Sequence, residues 1–524
     1  MLLRSMDTAI RSLATLATRR FRLGLILAVA VLTSAGSARG QAVDWDRIDA
    51  SIETMLEDWT APGVAVAVVH GDSVVFARGY GVRRLGESGR VGPETRFAVA
   101  SNTKAFTATL LAQLQAEQRL EIDGRVRDYL PEFEMHDPWI TDEIRVSDLL
   151  THRSGLPTFG GDHLWIGQVL PREEVVRRVR FLQPEGPFRA SFHYQNLMYL
   201  VAGQVAAAVG GASWDDLVED RILGPLGMTS TTTTLESLEG IEDVAAAHEY
   251  VGGELTAVRY DDVRGVGPAA ALNSNVLDMA RWMRVNLNGG EIGGVRILPE
   301  RAMRELHTIH YALGVSPWAE ANLGQRFNGY GYGWFISEYK GRKVVSHSGG
   351  LTGMISLQTL LPEEGIGVVV LTNFAPDAPT RAITYTILDA LLGEPARDWN
   401  SVYRGFAEQA QERAERAEAE LQARRAPDAR PPLPLESYVG TYANPLSGSA
   451  VVRMEDGHLV FDYNPRHLGD LEHWEGNRFR VHWRHPIFDM EPKTFLEFEP
   501  GENEGVDALT VTFYHPNRFE RVEP

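Results

Sequence analysis

Two apolar rhythms alternate along this chain. Residues 44–59 place Ile48, Ile52, Met55 and Leu56 on one face, the 3.6-residue spacing of an amphipathic helix, and Ala61-Pro62-Gly63 stops it. Val64–Val69 and Ser73–Arg78 are strand-like runs around Gly71-Asp72, which predicts a hairpin. A short apolar lead-in from Phe97 ends at Ser101, and the good helix formers that follow to Leu114 predict a helix with Ser101 as its N-cap. Asp123-Gly124 turns into Val126–Leu130, and Val146–Leu150 leads into Thr151–Pro157; helical patterns then alternate with loops to about Asn288. Lys343–His347, Ile355–Leu361 and Ile366–Leu371 read as three strands, the last two separated by the turn 362–365. Thr380–Leu392 reads as a helix closed by Gly393 and Pro395.

A helix and hairpin at one end and three strands and a helix at the other predict an α+β fold. Its antiparallel sheet is closed from both chain ends, flanked by terminal helices and interrupted by an inserted helical lobe. Catalytic groups belong in the cleft between sheet and lobe. Residues 404–425, rich in Ala, Glu, Arg and Gln without a wide apolar stripe, predict a solvent-facing helix. Ala426–Pro434 holds four prolines and reads as a stiff linker. Six short β runs follow: Tyr438–Tyr442, Ala450–Met454, Leu459–Tyr463, Arg478–His482, Thr494–Phe498 and Leu509–Tyr514. They predict a small antiparallel barrel or sandwich. The expected division is a main domain at 41–400, a helical and Pro-rich connection at 401–434 and a β-domain at 435–524.

Composition narrows the class of protein. The 524 residues are 44% hydrophobic with a formal charge of −19, and no long basic run interrupts the body of the chain, which argues against nucleic acid as a partner. There is no cysteine, so disulfides, thiolate metal sites and a lipidated N-terminal cysteine are excluded. Arg4, Arg11, Arg19, Arg20 and Arg22 precede an apolar run at Leu23–Thr33, and Ala38-Arg39-Gly40 precedes Gln41. That order predicts a signal peptide over 1–40, the apolar run being short for a bilayer span. The expected mature protein is periplasmic or secreted, with no stable membrane span.

The candidate chemistry starts at Ser101 and Lys104. Three residues apart on a helix, they share a face with Cβ atoms ~5–6 Å apart. A bare S-x-x-K is usually a helix start with a surface lysine. Here, however, Lys104 is embedded among Ala105, Phe106, Ala108 and Leu110. To act as a base its pKa must fall from ~10.4 to near 7, about 4 kcal/mol. Tyr194-Gln195-Asn196 stands just before a helical run, and His347-Ser348-Gly349-Gly350 ends a β run; taken singly, each reads as packing, a cap or a turn. A zinc hydrolase lacks support, because His307 and His310 are close but no H-E-x-x-H helix exists. An α/β-hydrolase lacks its G-x-S-x-G elbow.

In order, S-x-x-K, Y-x-N about ninety residues later and H-x-G about a hundred and fifty further on resemble the serine β-lactamase and penicillin-binding protein superfamily. The nearest branch is the class C β-lactamase, D-aminopeptidase and esterase group. F-A-V-A-S-N-T-K-A-F-T, L-L-T-H-R-S-G-L-P and P-A-A-A-L-N-S-N-V-L-D-M-A-R-W are similar to that group, and the resemblance covers roughly 44–395. It implies an acyl-enzyme at Ser101, with Lys104 or Tyr194 as the working base, a choice left open here. It further implies that Tyr194 passes a proton to the leaving group, with a phenolate favoured by nearby positive charge, and that Asn196 holds the lysine and a substrate amide. His347, Gly349 and Gly350 are implied to line the substrate edge, with the N–H groups of Ser101 and Gly350 as the oxyanion hole. His152 reads as a structural anchor.

His347 stands where many members of the superfamily have a lysine that binds substrate carboxylate. A histidine is mostly neutral at pH 7, which shifts the expected substrate from β-lactams toward D-amino-acid-containing peptides or amides and carboxylic esters. A β-lactamase or D-Ala-D-Ala carboxypeptidase is the alternative, and a non-catalytic peptidoglycan-fragment binder the alternative of another class. The C-terminal β-domain resembles the lipocalin-like appendage of some peptidases in the group. The reading implies no cofactor and no metal, a small-molecule or peptide substrate, and leaves a homo-oligomer open.

Overall fold

The computed structural model describes residues 43–168, 170–425, 430–485, 494–501, 505–513 and 515–522. The signal-peptide expectation, residues 426–429 of the linker and Tyr514 of the last β run lie outside them.

The chain opens with helix α1 (Trp45–Trp59) and the hairpin β1 (Gly63–His70) and β2 (Ser73–Gly81). Helices α2 (Thr103–Ala116), α3 (Asn196–Gly210) and α4 (Val276–Leu287) follow among shorter helical turns. Six further strands are β3 (Tyr311–Leu313), β4 (Asn328–Tyr330), β5 (Phe335–Tyr339), β6 (Arg342–Leu351), β7 (Met354–Leu361) and β8 (Ile366–Thr372), before helices α5 (Ala378–Leu392) and α6 (Trp399–Ala423). All eight strands form one sheet in the order β2-β1-β8-β7-β6-β5-β4-β3. Its antiparallel centre pairs Val64 with Thr372 and His70 with Ile366, so the first strand and the last do meet.

Strand β1 is buried on both faces, which explains its unbroken apolar run. Ala65, Ala67 and Val69 face one core, with α2, α3 and α4; Val64, Val66 and Val68 face the other, with α1, α5 and the start of α6. The sheet is therefore the middle of three layers, and the helical lobe thickens the first. Helix α2 is buried on every side from Thr103 to Leu114.

Two expectations need correction. Ser101 is not an N-cap: it lies in a 3₁₀ turn, Ala100–Asn102, ahead of α2, and no side chain caps that helix. His347, Gly349 and Gly350 are inside β6, in register with Gln358, Ser356 and Ile355, rather than beyond a strand end. Helix α6 starts ahead of the expected 404–425: Trp399, Asn400 and Tyr403 are buried and the Trp399 indole donates to Asp389 at 2.7 Å, whereas no residue from 404 to 425 is buried. Strands β3, β4 and β5 had no counterpart in the apolar pattern.

The C-terminal region is a closed antiparallel barrel of eight strands: β9 (Gly440–Asn444), β10 (Gly448–Glu455), β11 (His458–Asp462), β12 (Leu468–Glu475), β13 (Arg478–Trp483), β14 (Phe495–Pro500), β15 (Val506–Thr512) and β16 (Pro516–Val522). Tyr438, Tyr442, Phe461, Phe479, Phe498 and Phe519 fill its interior. No single helix among the described residues is long and apolar enough to cross a membrane.

Candidate active site

The turn that carries Ser101 is held against the sheet by polar contacts. Ser356 on β7 donates to the Val99 carbonyl at 2.7 Å and accepts from the Asn102 amide at 2.7 Å. The Val99 N–H donates to the Leu272 carbonyl at 2.9 Å. Ala100 has φ +48°, a left-handed conformation that is strained for a residue with a Cβ. The backbone approach is so close that a Cβ at Gly349 would overlap the Val99 carbonyl oxygen and lie 2.8 Å from the Ser101 nitrogen. This is why a glycine stands at 349.

One helical turn on, Lys104 is wholly buried, whereas Ser101 and Tyr194 are half-buried and face the cleft. The Lys104 Nζ lies 3.0 Å from Ser101 Oγ, 2.7 Å from Asn196 Oδ1 and 3.1 Å from the Ala269 carbonyl. It also sits over the Tyr194 ring, 4.8 Å from its centre. Burial pulls the Lys104 amine down to about 7, with Asp162 opposing the fall. Asn196 in turn donates from Nδ2 to Asp162 at 2.7 Å. This contact fixes which way the amide points and leaves its oxygen facing Lys104. Asp162 is itself buried, and burial raises its carboxyl to about 7, the Asn196 amide offsetting part of the rise.

These partners dictate where the lysine lone pair points. An amide oxygen and a backbone carbonyl only accept, so Asn196 and Ala269 must each receive an N–H from Lys104. A neutral amine has two N–H bonds, and with both committed its lone pair is left facing Ser101 Oγ. Above a pKa of about 7 the site thus presents an uncharged amine aimed at a hydroxyl, the arrangement that activates a serine nucleophile.

Tyr194 behaves differently from the expectation that positive charge favours its phenolate. Burial raises its pKa, and the Ser101 hydroxyl only partly offsets the effect, so the phenol is protonated at neutral pH. His152, 0% exposed with φ +55°, accepts the Gln195 N–H on Nδ1 at 3.0 Å, and its ring lies 4.3 Å from that of Tyr194. It anchors the backbone between Tyr194 and Asn196 from behind.

His347 is also buried. Its Nδ1 lies 2.6 Å from the Ser348 carbonyl and must carry the proton, leaving Nε2 to accept from the Tyr330 hydroxyl at 3.1 Å. Burial, then the nearby Lys104 charge, lowers its pKa to about 3. The imidazole is neutral and both its nitrogens are engaged. Gly350, the next residue but two, is exposed on β6.

The structure therefore brings Ser101, Lys104, Tyr194, Asn196, His347, Gly349 and Gly350 together. It adds Asp162, Ala269, Tyr330, Asn102 and Ser356, which sequence reasoning missed. Ala269 acts through its backbone, and Asp162 is a lone acid in a Gly-rich loop; no spacing marks either. His307 and His310 turn to separate partners, Asn286 at 3.2 Å and the Tyr332 ring at 3.9 Å.

The Beta-lactamase family model matches residues 48–392. The chain belongs to the beta-lactamase family. A second model, a domain of unknown function (DUF3471), matches residues 424–521, a span that takes in the barrel. Among curated relatives of this family member, Unguisins hydrolase ungD' of Aspergillus campestris is 29% identical over 430 residues, covering 78% of this chain and 77% of that protein. Protein flp of Staphylococcus aureus is 26% identical over 328 residues, 62% of each. Among solved structures, the octameric penicillin-binding protein homologue from Pyrococcus abyssi superposes with a TM-score of 0.62 at 23% identity, covering 91% of this chain and 100% of that one. The D-amino acid amidase from Ochrobactrum anthropi SV3 gives 0.54 at 22% identity, covering 66% and 98%. The two structures share the fold, and the beta-lactamase-family protein is a serine hydrolase.

Proposed function

We propose that this serine hydrolase is exported and works through an acyl-enzyme at Ser101 on D-amino-acid-containing peptides and amides or on carboxylic esters. The observation that carries the reading is the Lys104 amine, buried, lowered to about 7 and committed by Asn196 and Ala269 to face Ser101. Lys104 takes the Ser101 proton as Oγ bonds to the substrate carbonyl carbon. The resulting oxyanion is received by the N–H groups of Ser101 and Gly350, each such donor contributing ~3–4 kcal/mol. Tyr194, held as a phenol, gives its proton to the departing amine or alkoxide and regains one from the Lys104 ammonium beside it. Water then attacks the acyl-enzyme with the proton transfers reversed. The opposite pKa directions of Lys104 and Tyr194 support Lys104 as the base.

The substrate class rests on His347. A neutral imidazole with both nitrogens engaged holds a substrate carboxylate less firmly than an ammonium at that position would, which disfavours β-lactams and D-Ala-D-Ala termini. Relatives named as a hydrolase and a D-amino acid amidase support the amide reading, and an octameric structural neighbour supports a homo-oligomer. The basic-then-apolar order of residues 4–33, read as a signal peptide over 1–40, supports a periplasmic or secreted location.

A fluorophosphonate probe should label Ser101, and Ser101→Ala should abolish both labelling and turnover. A panel of D-aminoacyl amides, D-Ala-D-Ala peptides, short-chain nitrophenyl esters and a chromogenic cephalosporin should place the amides or esters first. A dominant cephalosporin activity would refute the role given to His347, and failure to acylate with every probe would favour a peptidoglycan-fragment binder.

A further inference from the structure

The short 3₁₀ turn Asp162–Leu164 carries two side chains that serve different parts of the molecule. Asp162 grips Asn196, and its neighbour His163 joins the barrel: its Nε2 lies 2.8 Å from the Ser447 hydroxyl, both groups buried. The same loop is held twice more. Gln168 donates to the Tyr463 hydroxyl at 3.0 Å, and Asn464 donates to the Ile166 carbonyl at 3.1 Å. Gly167, φ +76°, lets the two backbones close, since a Cβ there would lie 2.6 Å from Asn464 Oδ1 and 2.7 Å from Arg466 Cβ. From the site side, Gln195 donates to the Pro157 and Gly160 carbonyls at 2.9 and 3.0 Å. The barrel also reaches the opposite wall, where Arg466 pairs with Asp261 and Asp261 accepts the Thr352 N–H at 2.8 Å, two residues beyond Gly350.

We propose that the C-terminal barrel is a positioning part of the active site: by gripping loop 159–168 through Ser447, Tyr463 and Asn464, it keeps the Asp162 carboxylate on Asn196 and thereby keeps the Asn196 oxygen on Lys104. The inference rests on the reading of Ser101 and Lys104 as nucleophile and base. Ser447 and Asn464 touch no reacting atom and act only through the loop. Burial holds His163 and His467 neutral, the latter at about 3, so those two histidines at the seam do not titrate over the pH range in which Lys104 does.

The test is the pH dependence of fluorophosphonate labelling of Ser101 in the full-length mature protein. Ser447→Ala and Asn464→Ala should each lower the plateau rate five- to tenfold. Each should also move the acid limb to lower pH, the direction expected when Asp162 no longer supports the lysine charge. Placed in an Asp162→Asn background, neither should move the limb further, because residues acting through one group are non-additive. Arg518→Ala, which removes an exposed ion pair to Glu499 elsewhere on the barrel, should lower the melting temperature without altering the profile. An unchanged limb in both single variants, shifts that add to that of Asp162→Asn, or a shift of the same size in Arg518→Ala would overturn the proposal. Wild-type protein that fails to label at Ser101 would instead overturn the acyl-enzyme reading.

Discussion

Replacing Asp162 by Asn removes a charge from behind the base while keeping an oxygen for the Asn196 amide. Contacts of 2.7 Å on either side of that amide put Lys104 Nζ and the Asp162 carboxylate about 7 Å apart, where a full charge at an effective dielectric of ~20 contributes about 2.4 kcal/mol, or about 1.7 pH units. Asp162 is itself raised to about 7, so it is only partly ionised where the lysine titrates, and the net effect is about one pH unit. The sign is fixed: the carboxylate supports the ammonium, so its loss lowers the lysine pKa below about 7 and moves the acid limb of acylation downward. Fluorophosphonate inactivation, followed as a pseudo-first-order rate from pH 5 to 9, reads this limb without interference from a titrating substrate. A limb that stays in place, or that moves upward, would show that Lys104 is not the group being titrated.

Three further outcomes follow from the same geometry. His347→Lys should raise acylation by penicillin and lower KM for carboxylate-bearing substrates relative to neutral amides; no gain in a penicillin-labelling assay would remove His347 as the discriminating residue. Gly349→Ala should abolish Ser101 labelling and destabilise the protein by about 1–3 kcal/mol, since the added carbon meets the Val99 carbonyl; a labelled, fully stable variant would contradict the close approach. His307, His347 and His467 are all lowered from 6.5 to about 3 by burial. Their contribution to stability is therefore complete above pH 6.5 and is lost as pH falls toward 3. Between pH 7.5 and 5.5 that loss is about 4 kcal/mol for the three together, and thermal melts that coincide at the two pH values would refute it.

What could be read from the residues was whatever repeats locally. The apolar runs of β1, β7 and β8 mark a sheet buried on both faces, and Lys104 among Ala105, Phe106 and Leu110 marks a buried amine. Strands β3 and β4 escaped because Tyr311–Leu313 and Asn328–Tyr330 are three residues each, too short for a period to register. Two barrel strands escaped for another reason: Leu468–Glu475 and Pro516–Val522 alternate buried residues with charged or polar ones, and the apolar density falls below that of the other runs. Ser101 has the composition of a cap, but its hydroxyl is taken up by Lys104 and its turn is held to the sheet through Val99 and Asn102. Asp162 lies thirty-four residues from Asn196 with no motif around it. Its role exists only once the fold has closed, as does the desolvation that keeps Tyr194 a phenol.

The central pairing of β1 with β8 governs the order in which the protein can come into being. A ribosome finishes residues 63–70 long before 366–372, and for that interval β1 has only β2 beside it and one hydrogen-bonding edge open. The strand bearing Gly349 and Gly350 is made almost as late, so a nascent chain already carrying Ser101 and Lys104 has no β6 or β7 for the Ser101 turn to dock on. A fragment truncated before β8 leaves β1 without the partner it pairs with from Val64 to His70. Pairing across so great a separation is also slow to find, so the turn that carries Ser101 takes its final setting against the sheet only in the last stage of folding.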